Sequence, residues 1–188
     1  DPNNVIALNH RGNGYRVAGN IDAALKDHSA AIRLAPDFAV AFNSRCLDYT
    51  VKGDYDAAIA DCSEAIKLNP KYAAAFFGRG LAKARKGDFD GAVADHTTAI
   101  GFNARFARAY NGRAWAHLKA GRRSEAMADV TKALELTPDD AAALDTRGAI
   151  HEAMGRKAEA VADYRKALAK EPGLAEAQEG LRRLKAKP

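Results

Sequence analysis

A 34-residue period runs through the sequence. Arginine keeps this period over five successive occurrences: Arg11, Arg45, Arg79, Arg113 and Arg147. Glycine keeps it from Gly19 to Gly155, aspartate keeps it from Asp27 to Asp163, and alanine keeps it in three separate series. Several residue types that share one period indicate an array of repeated structural units.

The period divides the chain into five repeats, which cover residues 5–38, 39–72, 73–106, 107–140 and 141–174. We number the positions within a repeat from 1 to 34. Apolar residues at three- and four-residue spacing fill positions 1–14 and 18–30, which predicts two α-helices. Glycine at position 15 ends the first helix, and proline at position 32 of four repeats follows the second. A single hairpin of two helices cannot bury its apolar face alone, so the repeats are expected to stack.

The two ends of the chain extend this pattern. Residues 1–4 fit the last four positions of a preceding repeat, and we expect the chain to be a piece of a longer array. Residues 175–188 begin as a sixth first helix, but Leu181 replaces the periodic arginine and Arg182 occupies the small position 8. We therefore predict a capping helix in which Leu174, Leu181 and Leu184 cover the last hairpin.

The composition agrees with closely packed helices. Alanine accounts for 43 of the 188 residues, the formal net charge is +5, and there are only two cysteines. No stretch approaches the roughly 18 uncharged apolar residues that a membrane span needs. The composition therefore predicts a soluble all-α protein without a disulfide scaffold or a cysteine-rich metal module.

The repeat resembles the tetratricopeptide repeat over residues 5–174. The resemblance rests on the period, on alanine at positions 20 and 27, on proline at position 32 and on a small residue at position 8 (Gly12, Cys46, Gly80, Ala114 and Gly148). It implies an all-α, right-handed α-solenoid, here expected to be one continuous domain.

Two features depart from the family pattern. Position 32 of the third repeat is Ala104, so this junction is expected to be a continuous or bent helix. Position 11, usually tyrosine, is Lys83, His117 and His151 in the last three repeats.

The periodic arginines and aspartates predict ion pairs within each hairpin. Positions 7 and 23 each lie eight residues from the turn, so antiparallel helices bring them level. The expected structural pairs are Arg11–Asp27, Arg45–Asp61, Arg79–Asp95, Arg113–Asp129 and Arg147–Asp163. The alternative is an arginine ladder that binds phosphates, but five aspartates with the same period would cancel its charge.

The remaining candidate chemistry favours structural roles. His28 and His96 at position 24, together with His117 and His151, are interpreted as interior histidines, because no cluster has the spacing of metal ligands. Cys46 and Cys62 occupy one hairpin, and we expect two reduced buried thiols rather than a bridge. No catalytic motif is present. We therefore expect no catalysis, no metal and no cofactor.

The resemblance places a binding groove along the first helices. In proteins of this family these helices line a concave surface that binds a peptide or a partner helix. Positions on this face carry side-chain amides, a set of apolar side chains and several cations. The candidate groove residues are Asn9, Asn13, Asn43, Leu47, Phe77, Leu81, Arg85, Arg108, Asn111, Trp115 and Leu118. Asparagine amides can donate to and accept from a peptide main chain, although Phe77 and Trp115 could instead fill the space between repeats.

The function predicted from the sequence is a protein–protein interaction scaffold that binds another protein in this groove without catalysis. One alternative is single-stranded RNA binding by a helical-hairpin array, which the net charge favours and the alternating charge of the groove disfavours. Another is self-association through the ends of the array. Nucleic acid and membrane partners are not expected.

Overall fold

The structure is a computed structural model that describes residues 4–187; most of the predicted tail, residues 1–3, lies outside it. The described residues form eleven α-helices and no strands. The helices are α1 (Val5–Val17), α2 (Ile21–Leu34), α3 (Ala39–Lys52), α4 (Tyr55–Leu68), α5 (Ala73–Lys86), α6 (Phe89–Phe102), α7 (Ala107–Lys119), α8 (Arg123–Leu136), α9 (Ala141–Ala153), α10 (Lys157–Lys170) and α11 (Ala175–Arg183).

Each repeat contributes one hairpin, whose turn is set by the periodic glycine. The glycines at position 15 adopt φ values between 75° and 96°, the left-handed region that residues with a Cβ rarely enter. In the second and third repeats Gly53 and Gly87 are the residues at which the first helix ends. The following Asp54 accepts a hydrogen bond from the backbone of Ala57 and so caps the second helix.

The chain divides into two compact units. The N-terminal unit extends to Phe102 and the C-terminal unit begins at Asn103. In the N-terminal unit the hairpins α1–α2, α3–α4 and α5–α6 pack in succession, and α3 contacts both α1 and α5. In the C-terminal unit α9 contacts α7 and α11, and α10 packs on α9 and α11. In both units, therefore, first helices pack beside first helices.

Alanine forms the interface between the helices. The alanines at positions 20 and 27 of every repeat are at most 1% exposed (Ala24, Ala58, Ala92, Ala126 and Ala160; Ala31, Ala65, Ala99, Ala133 and Ala167). Such a short side chain allows two helix backbones to approach closely and adds no side-chain entropy cost to helix formation. The high alanine content is therefore explained by packing inside and between hairpins.

The junction at Ala104 differs from the expectation of a continuous or bent helix. Helix α6 ends at Phe102, and α7 begins only at Ala107. Asn103 closes the turn because its Oδ1 accepts a hydrogen bond from Arg105 N (3.1 Å) and its carbonyl accepts one from Phe106 N (3.1 Å). Asn69 makes the same two contacts before α5, where proline is present. Asparagine at position 31 therefore makes this turn without proline.

The expectation of two reduced thiols is also wrong. Cys46 on α3 and Cys62 on α4 form a disulfide within the second hairpin, with 5.5 Å between their Cα atoms. Both residues are fully buried. Positions 8 and 24 face each other in every hairpin, so two cysteines at these positions lie within bonding distance.

The last helix covers the end of the C-terminal unit. Leu181 is 1% exposed, and Leu174 and Leu184 pack against the same core cluster. Arg182 and Glu179 lie on the opposite, exposed side of α11 and form an ion pair of 2.6 Å. Across residues 4–187, no helix combines the length and the apolar character needed to cross a membrane.

Candidate binding surface

The periodic arginines lie against the periodic aspartates in all five hairpins. The shortest nitrogen–oxygen distances are 2.6 Å for Arg11–Asp27, 2.7 Å for Arg45–Asp61, 2.7 Å for Arg79–Asp95, 2.6 Å for Arg113–Asp129 and 2.7 Å for Arg147–Asp163. Both carboxylate oxygens of each aspartate accept a bond from the same guanidinium, a bidentate geometry that fixes its orientation. Each periodic arginine is therefore paired with a carboxylate of its own hairpin.

Some of these guanidinium groups also join neighbouring hairpins. Arg45 Nη1 donates to Ser29 Oγ of the preceding repeat at 3.1 Å, and Arg79 Nη1 donates to Ser63 Oγ at 3.2 Å. The hydrogen bonds and charge of Arg11 hold the pKa of Asp27 below its ordinary value although burial opposes this. Burial also opposes ionisation of Asp95, but hydrogen bonds from Arg79 and Lys83 keep its pKa lowered.

The departures at position 11 have a structural explanation. Lys83 Nζ lies 2.8 Å from Asp95, which therefore contacts two cations. His117 Nε2 lies 3.9 Å from Asp129, and His151 Nε2 lies 3.7 Å from Asp163. Position 11 thus faces the periodic aspartate, where a basic residue adds a second contact. Burial, together with nearby Arg122, lowers the pKa of His117.

In the N-terminal unit the predicted amide residues are less accessible than a groove requires. Asn9 and Asn43 are only 5% and 8% exposed. Burial raises the pKa of Tyr72 and the Asn43 amide opposes this rise, and Asn43 Oδ1 lies 3.9 Å from Cys62 Sγ. Asn13 is partly exposed and accepts a hydrogen bond from Arg16 at 3.1 Å. Of Asn9, Asn13 and Asn43, Asn13 is therefore the most accessible.

The other predicted residues of the N-terminal unit remain at least partly accessible. Leu47, Phe77 and Leu81 are partly exposed, and Arg85 is exposed. The Phe77 ring contacts His96 with 5.5 Å between centroids, so it also packs inside its own hairpin. A Cβ on Gly78 would lie 2.8 Å from Cys62 Sγ, so this glycine accommodates the disulfide.

In the C-terminal unit α7 presents four predicted residues. Arg108 is exposed, with its guanidinium 5.8 Å from the centre of the Phe106 ring. Asn111 and Trp115 are partly exposed, whereas Leu118 packs against the core cluster. Asn111 Oδ1 is buried and has no hydrogen-bond partner within residues 4–187.

A cavity of about 430 Å³ opens on this face of the C-terminal unit. Side chains from α7, α9, α10 and α11 line it. Its lining residues are Trp115, Lys119, Asp145, Thr146, Ala149, Tyr164, Ala175, Glu176, Glu179, Arg182 and Arg183. Lys119 Nζ lies 5.3 Å from the centre of the Trp115 ring, within the range of a cation–π contact.

A hydrogen-bond network supports one wall of this cavity. Tyr164 donates its hydroxyl to Glu152 Oε2 at 2.7 Å, and Arg183 binds both oxygens of Glu152 at 3.0 and 2.9 Å. The Arg183 hydrogen bond lowers the pKa of Glu152, and burial raises the pKa of Tyr164. This network ties the capping helix α11 to α9 and α10.

Two groups of polar residues were not among the candidate groove residues. Asp145 carries a buried oxygen without a partner, and His28, Asp48 and Arg16 form a network inside the N-terminal unit. Asp145 and Asp48 both break the pattern of their repeat position, at which the other repeats carry no acid. The sequence signal for both residues is an acidic side chain at a repeat position that carries no charge in the other four repeats. Within residues 4–187 no group of three or more histidine, cysteine or acidic side chains is arranged to hold a metal ion.

Comparison with known proteins identifies the family. A tetratricopeptide repeat model matches residues 47–87, and a second tetratricopeptide model matches residues 107–140 and 141–174. Together these matches cover more than half of the chain. Among curated proteins, none matches the sequence significantly.

Solved structures share the fold at low sequence identity. A thermophilic tetratricopeptide protein of Thermus thermophilus is 21% identical, with a TM-score of 0.86 over 96% of this chain and 98% of its own. A tetratricopeptide protein of Parabacteroides merdae is 25% identical, with a TM-score of 0.83 over 97% of this chain and 71% of its own. YrrB, described as a tetratricopeptide protein with an unusual peptide-binding site, is 18% identical, with a TM-score of 0.64 over 96% and 93%.

These matches confirm the predicted fold class, an all-α solenoid built from hairpins with a period of about 34 residues. Proteins built from such repeats are generally non-catalytic scaffolds that bind other proteins or peptides. With its five helix hairpins, its capping helix and its matching repeat sequences, the chain belongs to the tetratricopeptide repeat family and is a protein–protein interaction scaffold.

Proposed function

We propose that the chain binds a peptide segment or a partner helix of another protein on the face formed by its first helices, without catalysing a reaction. The observation that carries this proposal is the cavity beside Trp115 in the C-terminal unit. It combines an aromatic side chain, charged groups and a volume in the range of about 300–1,000 Å³ that is typical of ligand sites.

Hydrogen-bonding capacity on this face supports the proposal. Asn111 on α7 and Asp145 on α9 share repeat position 5, and each holds a buried side-chain oxygen without a donor. A buried acceptor without a partner is unfavourable, by about 1–3 kcal/mol. Both residues are partly exposed, so a bound peptide can form hydrogen bonds with the accessible parts of their side chains. The peptide-binding site attributed to YrrB gives a precedent on the same fold.

The state of the periodic arginines argues against the alternative of RNA binding. Their guanidinium groups bind aspartates within the hairpins, so this series of positive charges is neutralised. This series, which recurs in all five repeats, is therefore not available to follow a phosphate backbone.

The test is a peptide-display screen against the whole chain, followed by titration of selected peptides. Tryptophan residues are common hot spots of binding, so Trp115→Ala should weaken binding by about 2 kcal/mol, which is about 30-fold. Phe102→Ala is the control, because Phe102 is an exposed aromatic residue that lies on a second helix and does not line the cavity. Circular dichroism must show that both variants fold.

Two results would contradict this proposal: the screen yields no peptide, or Trp115→Ala binds every selected peptide as tightly as the wild type does. The same titrations with mixed RNA oligonucleotides over a salt series test the alternative, because phosphate contacts give a steep salt dependence. Sedimentation of the chain over a concentration series tests self-association.

A further inference from the structure

Asp145 is an acidic residue of the cavity with a side-chain oxygen that accepts no hydrogen bond among the described residues. It lies on α9 and lines the cavity, and its Oδ1 is buried without a hydrogen-bond donor among the described residues. An ionised carboxylate in such a position is costly unless a cation or several donors approach it. Asp145 as a whole is partly exposed and lines the cavity, so a ligand in the cavity can approach its carboxylate.

The other charges at this cavity are mostly engaged. Arg183 binds both oxygens of Glu152, and Arg182 lies 2.6 Å from Glu179. Lys119 is held over the Trp115 ring. Glu176 on α11 also lines the cavity and, within residues 4–187, has no ion-pair partner. Asp145 and Glu176 therefore leave two acidic groups facing the same space.

We infer that this cavity receives the basic side chain of a bound peptide, with the cation against Asp145 and Glu176 and its methylene stem along Trp115 and Ala149. The inference rests on the proposed function and specifies the partner: a segment with a lysine or arginine residue. A basic side chain suits the cavity on two counts. Its cation offers both charge and N–H donors to Asp145, and its apolar stem suits an indole face and an alanine.

The ionisation of Asp145 makes this binding sensitive to pH. Burial raises the pKa of Asp145 to about 6, the carboxylates of Glu176 and Glu152 add to the rise, and Arg183 opposes it. The charged or titratable groups that line the cavity around it are Lys119 on α7, Tyr164 on α10, and Glu176, Glu179, Arg182 and Arg183 on α11. Helix α8, which also packs on α9, contributes no described residue to this lining.

The experiment uses the whole chain and two peptides that differ at one side chain, Ac-Ala-Ala-Lys-Ala-Ala-NH2 and Ac-Ala-Ala-Met-Ala-Ala-NH2. Trp115 is the single tryptophan of the chain and lines the cavity, so its emission reports binding there. At pH 7.5 the lysine peptide should bind about tenfold more tightly than the methionine peptide, because it adds a hydrogen bond between charged groups. At pH 5 about one Asp145 side chain in eleven is ionised, so this advantage should largely disappear.

Asp145→Asn keeps the size of the side chain and removes its charge. It should abolish the advantage of the lysine peptide at pH 7.5, so that the two peptides bind this variant with similar affinities. The matched control is Asp139→Asn in the same unit, because Asp139 is 76% exposed and pairs with Lys170 away from the cavity. This control should keep the full preference for lysine.

Thermal unfolding separates a binding role from a structural one. A carboxyl whose pKa is higher in the folded than in the unfolded state stabilises the fold fully below the unfolded pKa, and this contribution is lost as the pH rises through about 6. In Asp145→Asn the side chain does not ionise, so its stability should not fall as the pH rises through about 6. At pH 7.5 the melting temperature of this variant should be no lower than that of the wild type. A clearly lower melting temperature would assign Asp145 a structural role and overturn the inference.

The remaining outcomes are also decisive. Equal binding of the two peptides overturns the inference and leaves the proposed function intact, since a peptide still binds. Binding of neither peptide overturns the inference as well, and the display screen then decides the proposed function independently. A preference for lysine that persists in Asp145→Asn would place the cation elsewhere on the chain and would likewise overturn the inference.

Discussion

Positions 8 and 24 show how single residues are matched across a hairpin. Where position 8 is glycine, position 24 is a large ring: a Cβ on Gly12, Gly80 or Gly148 would lie 2.5–2.8 Å from the ring of its partner, His28, His96 or Tyr164. In the fourth repeat Ala114 faces Val130, and in the second repeat the pair is the disulfide. The side chains at positions 8 and 24 therefore fill one common space between the two helices. A larger side chain at one position requires a smaller one at the other.

This matching predicts the effect of Gly80→Ala. The new methyl group would lie 2.7 Å from His96, and overpacking of this kind destabilises by about 1–3 kcal/mol. Adding His96→Val recreates the pair of the fourth repeat and should recover most of the loss. Urea denaturation followed by circular dichroism measures both effects.

Gly14→Ala is the control for this experiment. Gly14 lies inside α1, and a Cβ added to it would have no neighbouring atom within 4 Å, so alanine should stabilise the helix there by up to about 1 kcal/mol. If Gly80→Ala were as stable as Gly14→Ala, the proposed matching of positions 8 and 24 would be wrong.

At the scale of the helices, a buried polar network fastens the first hairpin to α3. His28 on α2 and Asp48 on α3 are both 0% exposed, and 2.5 Å separates Nδ1 of the histidine from Oδ2 of the aspartate. His28 Nε2 lies 3.2 Å from the carbonyl oxygen of Asn9 on α1. Arg16, also on α1, lies 3.3 Å from the other oxygen of Asp48. Three helices thus meet at one carboxylate.

Asp48→Asn should destabilise the N-terminal unit by about 3 kcal/mol, because removing one partner of a buried pair leaves the other uncompensated. Hydrogen exchange should increase in α1, α2 and α3. The exposed Asp56, which pairs with Lys86, is the comparison, and Asp56→Asn should change stability by less than about 1 kcal/mol. Similar losses for the two variants would mean that the network contributes no more than a surface ion pair.

At the scale of the whole molecule, the period was sufficient to predict the architecture. Five hairpins, the glycine turns and the capping helix follow from residues whose roles are local: a glycine at a left-handed position, apolar residues at helical spacing, and a leucine in place of a periodic arginine. These features act within one or two repeats, so they can be read without knowing the rest of the structure.

The features that the sequence did not predict depend on contacts between side chains of different helices. Asn43 lies near Tyr72 and Cys62, residues of other helices or loops that limit its exposure. The surroundings of Asp145 on α9 are likewise formed by side chains of α7, α10 and α11. The disulfide was not predicted because the expectation of reduced thiols rested on the small number of cysteines in the chain. Whether the bond forms depends on the distance between positions 8 and 24. A repeat pattern shows which positions face each other but not what each pair does.

The disulfide also provides a test of how stability is distributed along the array. It closes a span of 16 residues within the second repeat, and a cross-link of this length contributes about 3 kcal/mol in the chain-entropy model. In repeat proteins stability is approximately a sum of repeat and nearest-neighbour terms, so this contribution should remain near the second repeat. Reduction by dithiothreitol should therefore lower the urea midpoint measured by far-UV circular dichroism and move the midpoint measured by Trp115 emission much less.

The double variant Cys46→Ala, Cys62→Val supplies the control, because it introduces the pair that the fourth repeat uses and should not respond to dithiothreitol. Two results would contradict the prediction in different ways. If reduction leaves both midpoints of the wild type unchanged, the disulfide adds no stability. If both midpoints fall equally, a perturbation in the second repeat reaches Trp115 in the fourth, and nearest-neighbour additivity fails for this chain.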